Sequence, residues 1–243
     1  MVPESKIDEF VLRLRTAAGE NLASVILYGS AVTGDFHAKF SNLNLLCVVR
    51  DSSFAALQAA TPVVKWWARQ KQTPPIVMTV NELQRSADTF AIELMDMQQH
   101  HRVLFGEDPL LGLQIAAPAH RMQVKYELRE KLILLRQQAM LAADSQRQLW
   151  QLLLRSLPSI LTLFRHALMV MGHPAPAGRR EVAQSWARHP GLDTSVIGQL
   201  LDVRERKAEK RNMNVHELCA RYLALTEQIT VAVDQRTDTD GVR

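Results

Sequence analysis

The stretch FSNLNLLCVV (residues 40–49) joins a polar entrance to a run of apolar residues. Its second half, Leu45 to Val49, has the length and composition of a buried β-strand. Asn42 and Asn44 are two residues apart, so in an extended chain their side chains point to the same face. Two aspartates at this spacing would suit a metal ion. The role of two neutral amides at these positions has to be inferred from the rest of the sequence.

An apolar segment that ends in a Gly-Ser turn lies upstream of these amides. Ala23 to Tyr28 predicts a short strand, and Gly29-Ser30 stops it. Glycine lets the backbone approach a ligand closely, while a serine hydroxyl and free backbone N–H groups can point at an anion. A Gly-Ser pair at the end of a strand usually forms an ordinary turn without a ligand. Gly29 and Ser30 therefore become candidate phosphate-binding residues only in combination with the amides downstream.

The composition is that of an ordinary globular protein. The chain has 243 residues, of which 47% are hydrophobic and 22% charged, with a formal net charge of +4. A mildly basic balance is compatible with a nucleotide ligand but does not require one. Two cysteines indicate neither a disulfide framework nor a zinc site. The charged N-terminus is unlike a signal peptide, and the most apolar stretch, residues 149–171, contains arginines and a proline. We therefore expect a cytoplasmic protein without a membrane partner.

The hydrophobic pattern changes along the chain. Before about residue 115 it predicts a helix to Ala18, strands at 23–28, 42–50 and 76–79, and a helical or mixed segment at 88–104. Beyond that point strand signals disappear. Long helical periods follow at roughly 119–143, 147–171, 179–188, 194–209 and 214–234. We predict an α+β N-terminal domain (1–115) with a small mixed sheet and an all-α helical bundle (116–243).

The Gly-Ser turn, followed by Ser41-Asn42-Leu43-Asn44 and an apolar strand, resembles the signature of the DNA polymerase beta-like nucleotidyltransferase superfamily. In that signature a Gly-Ser turn precedes Ser-Asp-x-Asp and a hydrophobic strand. The segment HHRVLFGEDPL (100–110) is similar to one that ends many small bacterial members. A helical C-terminal domain is common in antibiotic-type members. The resemblance covers the N-terminal half and implies a nucleotidyltransferase fold that binds a nucleotide at Gly29 and Ser30.

The chain departs from this family at its metal centre. In active members three carboxylates hold two Mg²⁺ ions, two from Asp-x-Asp and one from a neighbouring strand. Here Asn42 and Asn44 occupy the first two positions, and Ile76–Thr79, where the third is expected, contains no acid. Mg²⁺ prefers anionic oxygen ligands, and each lost charge removes roughly several kcal/mol of gross attraction. We predict a degenerate metal centre without an assigned cofactor.

The favoured hypothesis is a nucleotidyltransferase-fold protein that is inactive or impaired. It would bind a nucleotide or another anion, or act as a regulatory module with a protein partner; no DNA partner is predicted. The first alternative is an active, Mg²⁺-dependent nucleotidyltransferase with atypical ligands. Asp35, Glu93 and Asp96 are the candidate acids for that role. Glu93 and Asp96 lie three residues apart and would share a helix face.

A second alternative concerns the C-terminal half. Arg211 is followed by an asparagine and, after three more residues, by His216. This arrangement resembles the catalytic motif of HEPN ribonucleases, small helical domains often found beside minimal nucleotidyltransferases. In those enzymes the arginine contacts the RNA phosphate and the histidine transfers a proton. So short a motif also arises by chance at the solvated end of a basic helix. A HEPN-like ribonuclease in the C-terminal domain is therefore the third hypothesis.

Overall fold

A computed structural model describes residues 2–33 and 42–240, with side chains up to residue 236. Asp35 and Ser41, both named above, lie outside the described residues. The chain divides into two compact units, Met1–Ala119 and His120–Arg243. We call these the N-terminal unit and the C-terminal unit.

The N-terminal unit is built around a four-stranded mixed sheet. Its elements are α1 (Glu4–Ala18), β1 (Leu22–Tyr28), β2 (Asn44–Val49), α2 (Phe54–Gln58), α3 (Thr61–Arg69), β3 (Ile76–Thr79), α4 (Val80–Arg85), α5 (Ala91–Gln99) and β4 (His101–Gly106). The strand order is β3-β2-β1-β4. Strand β1 is antiparallel to β2 and β4, whereas β2 and β3 are parallel. The predicted small mixed sheet is confirmed.

Helices cover both faces of this sheet. On one face Leu45 packs in a buried cluster with Phe10 of α1 and Trp67 of α3. On the other face Leu46 packs in a cluster with Met97 of α5. Side chains alternate between the two faces of a strand, so residue 44 lies on the same face as residue 46. The side chain at the entrance of β2 therefore belongs to the face that α4 and α5 cover.

The strands differ from the predicted ones in two places. Strand β2 begins at Asn44 rather than at Asn42. The segment 88–104 was predicted as helical or mixed, and it divides into α5 and the edge strand β4. Val103 in β4 is 38% exposed, so the strand lacks the apolar alternation by which a strand is recognised in sequence. Pairing with β1, and not a local pattern, makes this segment a strand.

The described part of the C-terminal unit is all-helical, as predicted. Its elements are α6 (Ala117–Ala142, which begins in the N-terminal unit), α7 (Gln146–Val170), α8 (Arg179–Trp186), α9 (Ser195–Arg204), a 3₁₀ turn (Lys210–Asn212) and α10 (Val215–Asp240). Phe164, Trp186 and Tyr222 are almost completely buried between these helices. Helix α7 has the length and apolar composition of a membrane span. However, 56% of its most apolar 18-residue segment is buried, as expected for a core helix.

Candidate functional site

The Gly-Ser motif forms a tight turn at the end of β1. Gly29 has φ +76°, a left-handed conformation that favours glycine. Its carbonyl accepts hydrogen bonds from the backbone N–H groups of Val32 (2.9 Å) and Thr33 (3.3 Å). Residues Gly29–Ala31 thus make one 3₁₀ turn. This turn holds Ser30 half-buried at the end of the strand.

The side chain of Asn44 packs directly on this turn. In the antiparallel β1–β2 ladder, Asn44 lies opposite Tyr28, the residue before the glycine. A Cβ atom added to Gly29 would lie 2.8 Å from Nδ2 of Asn44, closer than real Cβ contacts allow. Glycine is therefore required here for two reasons, its backbone conformation and the amide beside it. The fold brings together two motifs that are separated by fifteen positions in sequence.

Asn42 is exposed and lies two residues before Asn44, at the entrance of β2, by which we mean residues 42–44. Its Nδ2 donates a 2.9 Å hydrogen bond to Oγ1 of Thr73. The neighbouring Leu43 N–H donates to Oε1 of Gln72 at 2.8 Å. The loop between α3 and β3 thus fixes the start of β2. A hydroxyl can also donate to a carboxylate, so this surrounding would accept an aspartate at position 42 as well as an asparagine.

Among the described residues, Glu93 is the acid whose charge acts at the end of β1, and β3 (Ile76–Thr79) carries no acid. Burial and, to a lesser extent, the charge of Glu93 raise the pKa of Tyr28, so Glu93 acts electrostatically at the residue opposite Asn44. On β3, Ile76 and Met78 share the face of Asn44, and both are apolar. Among the described residues no group of three or more histidines, cysteines or acids is arranged to hold a metal ion.

The segment that resembles the end of small bacterial nucleotidyltransferases has a structural role in this chain. Gly106 has φ +76°, and an added Cβ atom would lie 2.0 Å from the backbone oxygen of Ala23. The hydroxyl of Ser24 lies 3.0 Å from the carbonyl oxygen of Phe105 and 2.7 Å from that of Glu107. These contacts fasten the end of β4 onto β1. The glycine of this motif allows the close approach of the two strands.

Arg211 and His216 have separate partners in the C-terminal unit. Arg211 has a side chain that is 80% exposed and forms an ion pair with Glu209. A ring nitrogen of His216 lies 3.0 Å from the carbonyl oxygen of Ala143. Among the described residues no hydrogen bond or ion pair joins Arg211 to His216. The ribonuclease pair stays a prediction from sequence.

Comparisons with known proteins give structural neighbours but no sequence relatives. No family model matches the chain, and no curated protein matches it. A crystal structure of spectinomycin adenyltransferase AAD(9) from Enterococcus faecialis with ATP and spectinomycin is similar over 92% of this chain and 99% of that one, with a TM-score of 0.53 and 18% identity.

The chain has a nucleotidyltransferase fold. The similarity spans both units and confirms the expected fold class, an α+β domain followed by helices. At 18% identity it establishes the fold and not the activity. A toxin–antitoxin structure with AMP-PNP also matches, over 52% of this chain and 94% of that one, at 16% identity and a TM-score of only 0.31.

Sequence reasoning missed three residues at the entrance. Gln72 and Thr73 hold the start of β2 from a loop about thirty positions away, and no spacing rule signals such a contact. Tyr28 was recognised only as the last residue of a strand. Its position opposite Asn44 depends on the register of β1 with β2. That register follows once the polar ends of both strands are placed at the same edge of the sheet.

Proposed function

We propose that the N-terminal unit binds a nucleotide, or another phosphate-bearing anion, at the Gly29-Ser30 turn and does not transfer nucleotides by the two-metal route. The observation that carries this proposal is the neutral amide of Asn44 packed on Gly29, where the family signature has a carboxylate. The nucleotidyltransferase fold supports it. The structurally similar spectinomycin adenyltransferase also supports it, because its crystal structure contains ATP.

The exchange of carboxylate for amide changes how a phosphate can be held. A carboxylate repels phosphate unless a metal ion lies between them. At about 4 Å and an effective dielectric of about 20, each pair of like charges costs about 4 kcal/mol before screening. An amide carries no charge, and its N–H group can donate to a phosphate oxygen. A site with Asn42 and Asn44 is therefore suited to a bare polyphosphate.

Such a module would sense or store a nucleotide rather than use it chemically. We expect the protein to be cytoplasmic, so its ligand would be a cytoplasmic nucleotide. Binding would be transmitted to a protein partner, with neither DNA nor a membrane involved. The mildly basic charge of +4 supports an anionic ligand without selecting a particular base.

Calorimetric titration with ATP, GTP, CTP and UTP, in EDTA and in Mg²⁺, tests this proposal. We expect at least one nucleotide to bind with an affinity that Mg²⁺ does not improve. In the Asn42→Asp/Asn44→Asp variant, affinity in EDTA should fall by about tenfold or more and recover when Mg²⁺ is added. Asn81→Asp, which adds a charge at an exposed site on α4, is the control and should leave the affinity unchanged. Binding by the unchanged chain only in Mg²⁺, or no binding at all, would contradict the proposal.

The effect of Glu93 on Tyr28 favours a second candidate, a metal-dependent transferase with displaced ligands. Asp35 and Asp96 are the other candidate acids for it. Labelled nucleoside triphosphates with Mg²⁺ or Mn²⁺ test it against cell extract as the acceptor. Label transfer that is lost in Glu93→Gln but kept in Asp88→Asn, an exposed control acid, would establish this second candidate instead. Absence of transfer alongside nucleotide binding is the outcome that we expect.

A further inference from the structure

An open groove of about 500 Å³ runs between α6 and α7 in the C-terminal unit. Each helix contributes one stripe of residues at spacings of three and four positions. The lining residues are Lys131, Leu134, Leu135, Gln138, Leu141 and Ala142 of α6 and Gln148, Gln151, Leu152, Arg155, Ser156, Ser159 and Ile160 of α7. Residues 131–142 span about 16 Å of helix, or about three turns. The groove is therefore long enough for about three turns of one further helix.

The floor of the groove is apolar, and Ser156 beside it has its hydrogen bonds within the C-terminal unit. Leu135, Leu152 and Ile160 are buried at its base. The hydroxyl of Ser156 donates to the carbonyl of Leu152 at 2.9 Å and lies 3.2 Å from the hydroxyl of Tyr222. At the rim Leu141 is 84% exposed. An apolar side chain placed against Leu141 and the floor would cover apolar surface, and the hydroxyl of Ser156 would keep its partners.

Both charged residues of the lining are cations, Lys131 and Arg155. Among the described residues neither has an ion-pair partner. Other cations of α6 do: Arg136 pairs with Glu227 at 2.6 Å, and Arg129 pairs with Asp234. The lining of the groove thus carries two cations, no acid and no ion pair, and this makes the lining itself positively charged.

We propose that this groove is the docking site for an amphipathic helix of a partner protein, which places apolar residues on the floor and acidic residues beside Lys131 and Arg155. A docked helix presents side chains at three- and four-residue spacing, which matches the two stripes. The acidic character of the partner follows from the two cations of the lining. The proposal is independent of nucleotide binding, because every lining residue lies in the C-terminal unit.

Synthetic peptides of about 18 residues provide a direct probe. One peptide carries leucines on one face and glutamates beside them, and the second has lysines in place of the glutamates. Fluorescence anisotropy with the full chain should show the glutamate peptide binding about tenfold tighter or more. This preference should disappear in Lys131→Gln/Arg155→Gln. It should persist in Arg147→Gln, which removes an exposed cation of α7 outside the groove.

The apolar half of the proposal has its own matched pair. Leu141→Ser should weaken binding of the glutamate peptide, whereas Leu111→Ser, at an equally exposed leucine (84%) in the N-terminal unit, should not. Equal binding of both peptides, or binding unchanged in Lys131→Gln/Arg155→Gln, would overturn the proposal. Sedimentation that shows a dimer dissociated by Leu141→Ser would also overturn it, because a second copy of the chain would then occupy the groove. Circular dichroism of each variant verifies that the helices are intact.

Discussion

Two glycines of the N-terminal unit, Gly29 and Gly106, have the same φ of +76° and different neighbours. At Gly106 an added Cβ atom would meet the backbone of β1, at 2.0 Å from the oxygen of Ala23. At Gly29 it would meet the end of a side chain, the amide of Asn44, at 2.8 Å. A backbone inside a sheet cannot move aside, whereas a half-exposed side chain can. The first glycine is needed for the fold and the second for the arrangement of the candidate site.

The largest effect is expected from Gly106→Ala. The methyl group would overlap the carbonyl of Ala23 and separate β4 from β1, and the left-handed backbone adds about 1 kcal/mol. We expect a loss of about 3 kcal/mol or more in the free energy of unfolding, measured by urea denaturation. Gly112→Ala is the control, because Gly112 has φ +80° and open space around it. If both variants lost the same stability, the contact with β1 would be irrelevant.

Gly29→Ala should lower the unfolding free energy less than Gly106→Ala does, but it should weaken nucleotide binding. The conformational term is again about 1 kcal/mol, and Asn44 can rotate away from the new methyl group. We expect a loss of about 1 to 2 kcal/mol in unfolding free energy together with a loss of about tenfold or more in nucleotide affinity. Calorimetry and urea denaturation measure the two quantities on the same sample.

A double-mutant cycle separates the two causes at this turn. Asn44→Ala removes the amide, so Gly29→Ala in that background should retain the conformational cost and lose the steric one. The stability cost of Gly29→Ala should then fall to that of Gly112→Ala. A cost that stays the same would show that the amide and the glycine are not coupled, and would remove the contact from our description of the site.

Metal binding by a variant tests whether Asn42 and Asn44 occupy the positions of a former metal centre. Because the side chains of Asn42 and Asn44 are not fully buried, we expect Asn42→Asp/Asn44→Asp to change the unfolding free energy by only about 0.5 kcal/mol. Mg²⁺ should raise the thermal midpoint of this variant and leave that of the unchanged chain where it is. Asn81→Asp controls for the added charge. No Mg²⁺ effect in the double variant would mean that these positions are not a former metal centre.

The fold was predictable where periodicity is strong. Helix α1, strands β1 and β3 and the helical C-terminal unit follow from apolar spacing, and the Gly-Ser and Asn-x-Asn motifs indicate which fold joins them. Strand β4 was not predictable, because half of its residues are exposed at a sheet edge without an alternating pattern, and only pairing with β1 defines it. At the site, Gly29 and Asn44 were selected from sequence, but their contact was not. It depends on the register that places Asn44 opposite Tyr28.

The smallest expected effect concerns Tyr28, the residue that precedes Gly29 and lies opposite Asn44. Burial and then the charge of Glu93 raise its pKa above the usual 10, so its phenol stays protonated at a pH where an exposed tyrosine ionises. Glu93→Gln removes the second cause and should lower the pKa of Tyr28 towards the value that burial alone gives. Since the folded pKa exceeds the unfolded one, the associated stability is present below about pH 10 and is lost as the pH rises through the folded pKa. Ultraviolet titration of the phenolate, with Asp88→Asn as control, measures the shift. An unchanged pKa of Tyr28 would show that the charge of Glu93 does not act on Tyr28, and would remove the observation that favours Glu93 as a displaced ligand.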